Sequence, residues 1–568
     1  MQKLIFVTML VFGSQLFSQG ILHKEILGRP TDNSISIRLF FAENTEFYVE
    51  YGNKYDQLIN KTQTLFASAG LPADIKIEGL NKNTLYYYRI LHRLDGTNAW
   101  TMRQTNSFHT QKSEGEQFTF VIQADPHLDE QSDTAVYSRC IKNQLEDNPD
   151  FIIDLGDIIM TDKLKNSAGA ITRDSIISRC KYLRSFYELA GHSIPYFMVL
   201  GNHEGEAGWT LNNTANNIAI INAQERKKYF MNPIPDHFYT GDDTNNNFVG
   251  LRENYYAWKW GDALFIVLDP YWYTSPKPDA NTGWRWTLGK KQYDWLKATL
   301  EKDKSLYKFV FCHQLVGGDP NGRGGIEFAN LYEWGGYNLN GTYGFTTNRP
   351  GWDKPIKDML RDYKVSAFFH GHDHFFGKQE KDCLIYQECP QPSHQSFQNA
   401  NQATDYGYLS GVILPNSGHL RINVQASEVK IEYVRAYSAI NETATRKNKD
   451  VAATYFIKKN DCYDTLSTSS TILWNRDYYN ELVYPNPSNT ETRISIELLN
   501  SSKVTLDIYD ENGNYINNLI FGSTIQNGKY EVIWDGIDQR GNKCPVGNYF
   551  YKLMDEKGII ASGKIIRI

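Results

Sequence analysis

Phe118-Thr119-Phe120-Val121-Ile122-Gln123-Ala124-Asp125-Pro126-His127 is the stretch that decides the fold. The run from Phe118 to Ala124 is short and nearly continuously apolar, as in a strand buried on both faces, and it stops at a carboxylate. The same grammar repeats downstream. Phe151-Ile152-Ile153-Asp154-Leu155 runs into Gly156-Asp157, and Tyr196 to Leu200 runs into Gly201-Asn202-His203-Glu204. Phe309 to Cys312 is followed by His313, and Val365 to Phe369 by Gly371-His372-Asp373-His374. Helical patterns fill the intervals. Ser132 or Asp133 can cap a helix carrying Ala135, Val136, Cys140, Ile141 and Leu145, and further helices are predicted over 173–190, 290–301 and 353–363. Such alternation means an α/β domain. Two adjacent strands over 255–269 make its sheets mixed, and a hairpin of Leu420–Val424 with Val429–Val434 closes the unit.

The flanks have another texture. Residues 21–112 alternate apolar and polar in short runs such as Phe47-Tyr48-Val49-Glu50-Tyr51, separated by turn residues, which is an all-β sandwich pattern. Within them Gly79-Leu80-Asn81-Lys82-Asn83-Thr84-Leu85-Tyr86 resembles the corner of fibronectin type III domains, in which a Leu and a Tyr pack around a tight turn. From Tyr484 onward short strands and Asn-Gly or Gly-Asn turns mark a second β module. The expected organisation is a signal peptide at 1–19, a fibronectin type III-like domain at 20–112, the α/β domain at 116–437, a linker at 438–483 and the C-terminal module at 484–568. The leader reading rests on Lys3, the apolar run Leu4 to Phe12 and the small residue Ser18.

Composition narrows the function classes. The 568 residues carry 59 Lys and Arg against 65 Asp and Glu, a net charge of −6, so no global basic field suits the chain to coating nucleic acid or anionic lipid. A mean hydropathy of −0.51 excludes a polytopic membrane protein, and no transmembrane segment is expected in the mature chain. The 37 Tyr and 12 Trp suit strand-rich modules and ring-lined surfaces. Seven cysteines are too few and too scattered for a disulfide scaffold. Cys383 and Cys389 could form one local bridge, while Cys140, Cys180 and Cys312 read as small core residues.

The chemistry-bearing residues sit just past the C-terminal ends of strands, where ligands gather in open α/β sheets. Carboxylate, amide and imidazole groups in that setting suit Zn, Mn or Fe. Glycines 156, 201 and 371 allow the sharp turns that aim the following side chains into one cavity. His370 reads as structural and His192 as a helix-end residue, and His23, His92, His109, His237, His394 and His419 lack any motif context.

Asp-x-His, Gly-Asp, Gly-Asn-His-Glu, a lone His and Gly-His-x-His, in that order over 118–437, resemble the calcineurin-like metallophosphoesterase superfamily. The preceding β-sandwich makes the chain more similar to its purple acid phosphatase branch. The resemblance implies a four-layer αββα sandwich flanked by N-terminal and C-terminal immunoglobulin-like β-sandwich domains. It implies two divalent or trivalent metal ions: Asp125, His127 and His374 hold the first, Asn202, His313 and His372 the second, and Asp157 bridges both. It implies hydrolysis of a phosphorylated small molecule by a hydroxide shared between the metals, with His203 beside the leaving-group oxygen. Glu204, next to His203 in the sequence, is expected to orient it.

The chain departs from the purple acid phosphatases at two places. Asp125-Pro126-His127 stands where that branch has Asp-x-Gly, and Met160 stands where it has a Tyr ligand. Without that phenolate the protein should not be purple, and Asp162 lies at the wrong spacing to replace it. The Gly-rich, aromatic insert 317–352 is expected as a lid or wall over the metals. Asn202, His203, Arg323 and Arg349 are candidate substrate contacts. Tyr484-Pro485-Asn486-Pro487-Ser488, Trp534-Asp535-Gly536, Pro545-Val546-Gly547-Asn548-Tyr549 and Lys564–Ile568 resemble the type IX secretion C-terminal sorting domain. That implies the type IX export machinery as partner, passage through a periplasm, and a secreted or cell-surface location. The primary reading is a secreted phosphomonoesterase. The rivals are a phosphodiesterase acting on nucleotides or lipid head groups, and a surface adhesin with structural metals.

Overall fold

The computed structural model describes residues 20–458 and 478–568, apart from 280, 320, 499, 500, 512, 556 and 557. The expected signal peptide at 1–19 lies outside the described residues. The chain divides into two compact units, Met1–Tyr463 and Asp464–Ile568.

The first unit opens with a β-sandwich. Ile21–Gly28, Ser34–Phe41 and Pro72–Glu78 form one sheet, and Thr45–Gly52 and Leu85–Leu94 centre the other. Their inward faces enclose Ile35, Ile37, Leu39, Val49, Ile75 and Tyr88. At the corner Leu80 is buried and the Asn81 N–H donates to Tyr86 Oη at 2.9 Å. The sandwich is pinned to the α/β domain by Arg184, a fully buried guanidinium that donates to the carbonyls of Lys24 and Arg38.

Two sheets stack face to face in the α/β domain. The first runs Tyr196–Met198, Phe151–Asp154, Phe118–Gln123, Gly418–Val424, Glu428–Arg435, Val451–Lys458. Its first three strands are parallel, and the predicted hairpin joins antiparallel beside Phe118–Gln123. The second sheet is built on the parallel strands Ala263–Val267, Tyr307–Phe311, Ala367–His370 and Leu384–Glu388, with Tyr256–Trp260 antiparallel at one side. Between the sheets lies an aromatic core including Phe120, Phe151, Phe265, Phe309 and Phe311. Strands that bury both faces read as unbroken apolar runs, which is why they were legible. Helices Thr134–Glu146 and Arg173–Gly191 cover the first sheet, and Lys290–Lys302 and Ile356–Asp362 the second, completing four layers. Asp133 is the cap of the first helix, accepting from the N–H groups of Ala135 and Val136. A helix at Ile218–Tyr229, capped by Asn217, was not anticipated.

Three expectations need correction. The stretch 438–483 is not all linker. Val451–Lys458 pairs with Glu428–Arg435 as an edge strand, with Ala453, Tyr455 and Ile457 facing the inter-sheet core and the alternate residues exposed. Tyr478–Tyr484 already belongs to the C-terminal module. Nor do Cys383 and Cys389 bridge each other. Cys389 is a free thiol in the inter-sheet core, and Cys383 is disulfide-bonded elsewhere.

The second unit is a β-sandwich of its own. Tyr478–Tyr484, Thr492–Leu498 and Gly528–Trp534 form one sheet. Tyr515–Ile525, Ser502–Asp510, Gly547–Asp555 and Gly558–Arg567 form the other, and Trp534, Leu506, Ile508 and Tyr551 lie in the core. Among the described residues no helix is long and apolar enough to cross a membrane.

Candidate metal centre

The C-terminal ends of the parallel strands deliver their side chains to one place. Asp125, His127 and His374 form one group and Asp157, His313 and His372 a second, the ligand atoms in each lying within 4.8 Å of one another. Asp157 Oδ2 is 3.2 Å from His313 Nε2 and 3.6 Å from His127 Nε2, between the groups. Asn202 Oδ1 joins the second at 3.1 Å from His313 Nε2. All seven sequence-predicted ligands are thus brought together from five strand ends far apart in the sequence, Asp125 sharing one with His127 and His372 another with His374.

The backbone carries strain to achieve this. Asp125, His127, Asp157, His372 and His374 all have left-handed φ, between +46° and +78°. For non-glycine residues this costs on the order of 1–3 kcal/mol each and clusters at functional sites. Gly156 turns at φ +100°. A Cβ on Gly201 would collide with Asp157 Oδ1, and one on Gly371 with Asp125 Oδ2. The glycines therefore serve close approach as well as turning.

The far nitrogen of three imidazoles is held by an acceptor, so the near one faces the cluster. His313 Nδ1 donates to the Leu155 carbonyl at 2.8 Å, and His372 Nε2 to the Asn321 carbonyl at 3.2 Å. His127 Nδ1 lies 3.5 Å from Asp129 Oδ2. Behind the cluster, Glu388 accepts from the N–H groups of Asp373 and His374 and lies 2.8 Å from His370 Nδ1. His370 thus packs behind the ligands.

The electrostatics ask for cations. Burial opposes charge on Asp125 and Asp157. Even so, His313 and His374 hold the first, and His313 and His203 the second, below the usual carboxylate range. His127 is likewise opposed by burial but is lifted to about 11 by Asp125, Asp129 and Asp157, and His313 is lifted to about 9. Buried Asp125 Oδ1 and His127 Nε2 have no hydrogen-bond partner. Orphaned N and O atoms beside two buried carboxylates fit a pair of borderline cations such as Zn, Mn or Fe.

Two roles differ from expectation. Glu204 does not orient His203. Its buried carboxylate accepts from the N–H groups of Gly201, Asp157, Ile158 and Ile159, and so shapes the Gly-Asp loop. His203 is instead held by Asp162, with Nδ1 2.5 Å from Asp162 Oδ1, and by its own N–H on Asp157 Oδ1 at 2.8 Å. Arg349 is turned away from the cluster. It pairs with buried Glu333 and donates to the carbonyls of Trp284 and Trp286, so its donors are already taken. Arg323 stays near, donating to the His372 carbonyl and Asp373 and stacking 4.3 Å from Tyr406.

A cavity of about 330 Å³ opens beside the cluster, reached by Asn202, His203 and His372. The insert contributes Asn321 to it, but most of the wall comes from elsewhere: Trp209, Lys277, Trp286 and Gln314 among others. These residues carry no motif. They lie on loops whose course depends on long-range contacts. Buried Glu206 is bonded to Arg226, and Arg252 lies 3.5 Å from Glu206 and 3.1 Å from Asp269. This network fixes the turns that present Trp209 and Tyr271.

The family model for calcineurin-like phosphoesterases matches residues 118–376, and that for the FlgD Ig-like domain matches residues 485–558. The structure of PhoD aligns with a TM-score of 0.57 at 15% identity, covering 79% of this chain and 91% of that one. Purple acid phosphatase PPD1 from yellow lupin (Lupinus luteus) seeds aligns with a TM-score of 0.50 at 14% identity, covering 76% of this chain and 74% of that one. At such identities the likeness is one of fold. No curated protein sequence matches the chain. Residues 118–376, which lie between the two β-sandwiches in the sequence, thus match the calcineurin-like phosphoesterases, and their Asp and His groups are candidate metal ligands of a metal-dependent phosphoester hydrolase.

Proposed function

We propose that the protein is an exported phosphomonoesterase with a dinuclear metal centre. The observation that carries the reading is the position of Asp157 Oδ2 between the two ligand groups. Asp125, His127 and His374 would hold one cation, Asn202, His313 and His372 the other, and Asp157 both. When bound, the pair supplies Lewis acidity to the phosphoryl oxygens and lowers the pKa of water. His203 Nε2 holds a proton toward the leaving oxygen, and Asp162 keeps the imidazole in that orientation. Trp209 and Trp286 exclude water from the leaving-group side.

Export is supported by the leader-like residues 1–19 and by the C-terminal module's likeness to sorting domains. Mass spectrometry of the chain's ends in the culture medium tests it, and a full-length chain retained in the cytoplasm would overturn it.

The activity is tested by parallel assays of p-nitrophenyl phosphate and bis-p-nitrophenyl phosphate on metal-loaded protein. The monoester should turn over faster. Faster diester turnover would make the protein a phosphodiesterase, and turnover of neither with two metals bound would favour an adhesin. Asp157→Asn should abolish turnover and lower metal content, measured by mass spectrometry.

A further inference from the structure

The cavity beside the metal cluster is chemically two-sided. Near the cluster it is polar, with Asn202, His203 and His372. The rest of the wall sets Trp209, Trp286, Ile171 and Ile218 beside Thr161, Thr210 and Gln314, and Lys277 brings the one ammonium among the described lining residues. The aromatic part is rigidly built. Trp209 meets Trp286 edge-on at 6.0 Å and Tyr271 edge-on at 6.5 Å. The Gly208 N–H donates to the Tyr271 carbonyl at 3.0 Å, and a Cβ at Gly208 would strike the Trp272 carbonyl, so the turn bearing Trp209 packs directly on the backbone of Tyr271 and Trp272. The Lys277 backbone is also held, its carbonyl accepting from Arg285 Nη1 at 3.2 Å.

The Lys277 side chain is not committed. Its Nζ sits 5.9 Å from the centre of the Trp209 ring and pairs with no carboxylate among the described residues. Asp162, the carboxylate that lines the same cavity, is already engaged by His203. An ammonium resting on an indole face at that distance gains little, whereas an anion brought beside it gains a charge-assisted contact. A volume of about 330 Å³ lies within the range of ligand pockets.

We infer that this cavity selects phosphate esters whose leaving group is a flat apolar ring bearing a second anionic group, with the ring against Trp209 and the anion on Lys277. The inference rests on the phosphoesterase reading above and assigns that site's substrate class. Trp209 and Lys277 are specificity residues in it and take no part in the phosphoryl chemistry.

The test compares phenyl phosphate with 4-carboxyphenyl phosphate as substrates of the metal-loaded full chain. In parallel, calorimetry compares benzylphosphonate with 4-carboxybenzylphosphonate as ligands that cannot be hydrolysed. The wild type should favour the carboxylated member of each pair by roughly 2- to 5-fold, as expected for one exposed ion pair. Lys277→Met should bring both ratios to about one, Lys277→Arg should restore them, and Trp209→Leu should weaken binding of both phosphonates. A wild type indifferent to the carboxylate overturns the inference. So does a Lys277→Met protein that weakens both members of a pair equally, since that places the ammonium on the transferred phosphate. Binding preference without hydrolysis of either ester would sink the phosphoesterase reading and leave the subsite standing. Hydrolysis without preference would do the reverse.

Discussion

Asp162 Oδ1 lies 2.5 Å from His203 Nδ1, which turns the opposite nitrogen of the ring into the cleft. Asp162 is half exposed on a short helical turn at Thr161–Lys163, five residues beyond Asp157. This pair predicts a graded result. His203→Ala should lose roughly 10²- to 10⁴-fold in kcat while retaining both metals, as for loss of a positioned acid. Asp162→Asn should lose on the order of 10²-fold through misorientation of the ring. Turnover and metal content measured on the same samples check both. Metal loss in the His203 variant would make that residue a ligand.

The Glu204 carboxylate satisfies four backbone N–H groups in the two loops that carry Asp157 and Asn202. Glu204→Ala orphans all four inside the protein. Each buried unpaired donor costs about 1–3 kcal/mol, so several kcal/mol of stability should go, together with metal affinity. Glu204→Gln, which keeps one acceptor oxygen, should lose less. Denaturant titration and metal analysis check the order, and a Glu204→Ala protein of wild-type stability would refute it.

The wall of the cleft depends on a buried ion pair. Arg226 Nε and Glu206 Oε1 are 2.5 Å apart and both side chains are almost fully buried. Arg226→Met leaves Glu206 with only the more distant Arg252 and should cost about 3–5 kcal/mol. Glu206→Gln with Arg226→Met should recover part of that loss, because no unpaired charge is left. Thermal unfolding of the wild type, both single variants and the double variant measures the coupling.

A further prediction concerns pH. Asp150 is buried beside Trp260 and accepts from the Thr119 N–H at 3.3 Å. Burial, opposed by Lys112, pushes its carboxyl up to about 6. The folded protein thus keeps a proton there that the unfolded chain releases near pH 4. The resulting stability is full below about pH 4, falls as pH rises to about 6, and is then lost, a span on the order of 3 kcal/mol. Asp150→Asn cannot ionise, so its stability relative to wild type should rise between pH 4.5 and pH 7. Denaturation midpoints at the two pH values check this, and a difference that does not move with pH would contradict it.

What could be read along the chain was whatever local pattern encodes. Strands such as Phe118–Gln123 and Phe151–Asp154 bury both faces and announce themselves as apolar runs, and the polar residues that end them mark the ligand-bearing edge. Asp125, His127, Asp157, Asn202, His313, His372 and His374 stand at such strand ends, and the resemblance to the metallophosphoesterases singled them out from their polar neighbours. Folding decided the rest, because it turns on contacts between distant residues. Adjacency suggested Glu204 as the partner of His203, but the turn aims Glu204 at backbone amides and brings Asp162 to the ring. Arg349 is spent on Glu333, sixteen residues away. Trp209 lines the cleft from a short helical turn close in sequence to buried Glu206, and Lys277 and Trp286 line it from stretches without a motif. Periodicity reports which face of a strand or helix is buried. It carries no record of where a loop is anchored, and that is set by the packing of the whole domain.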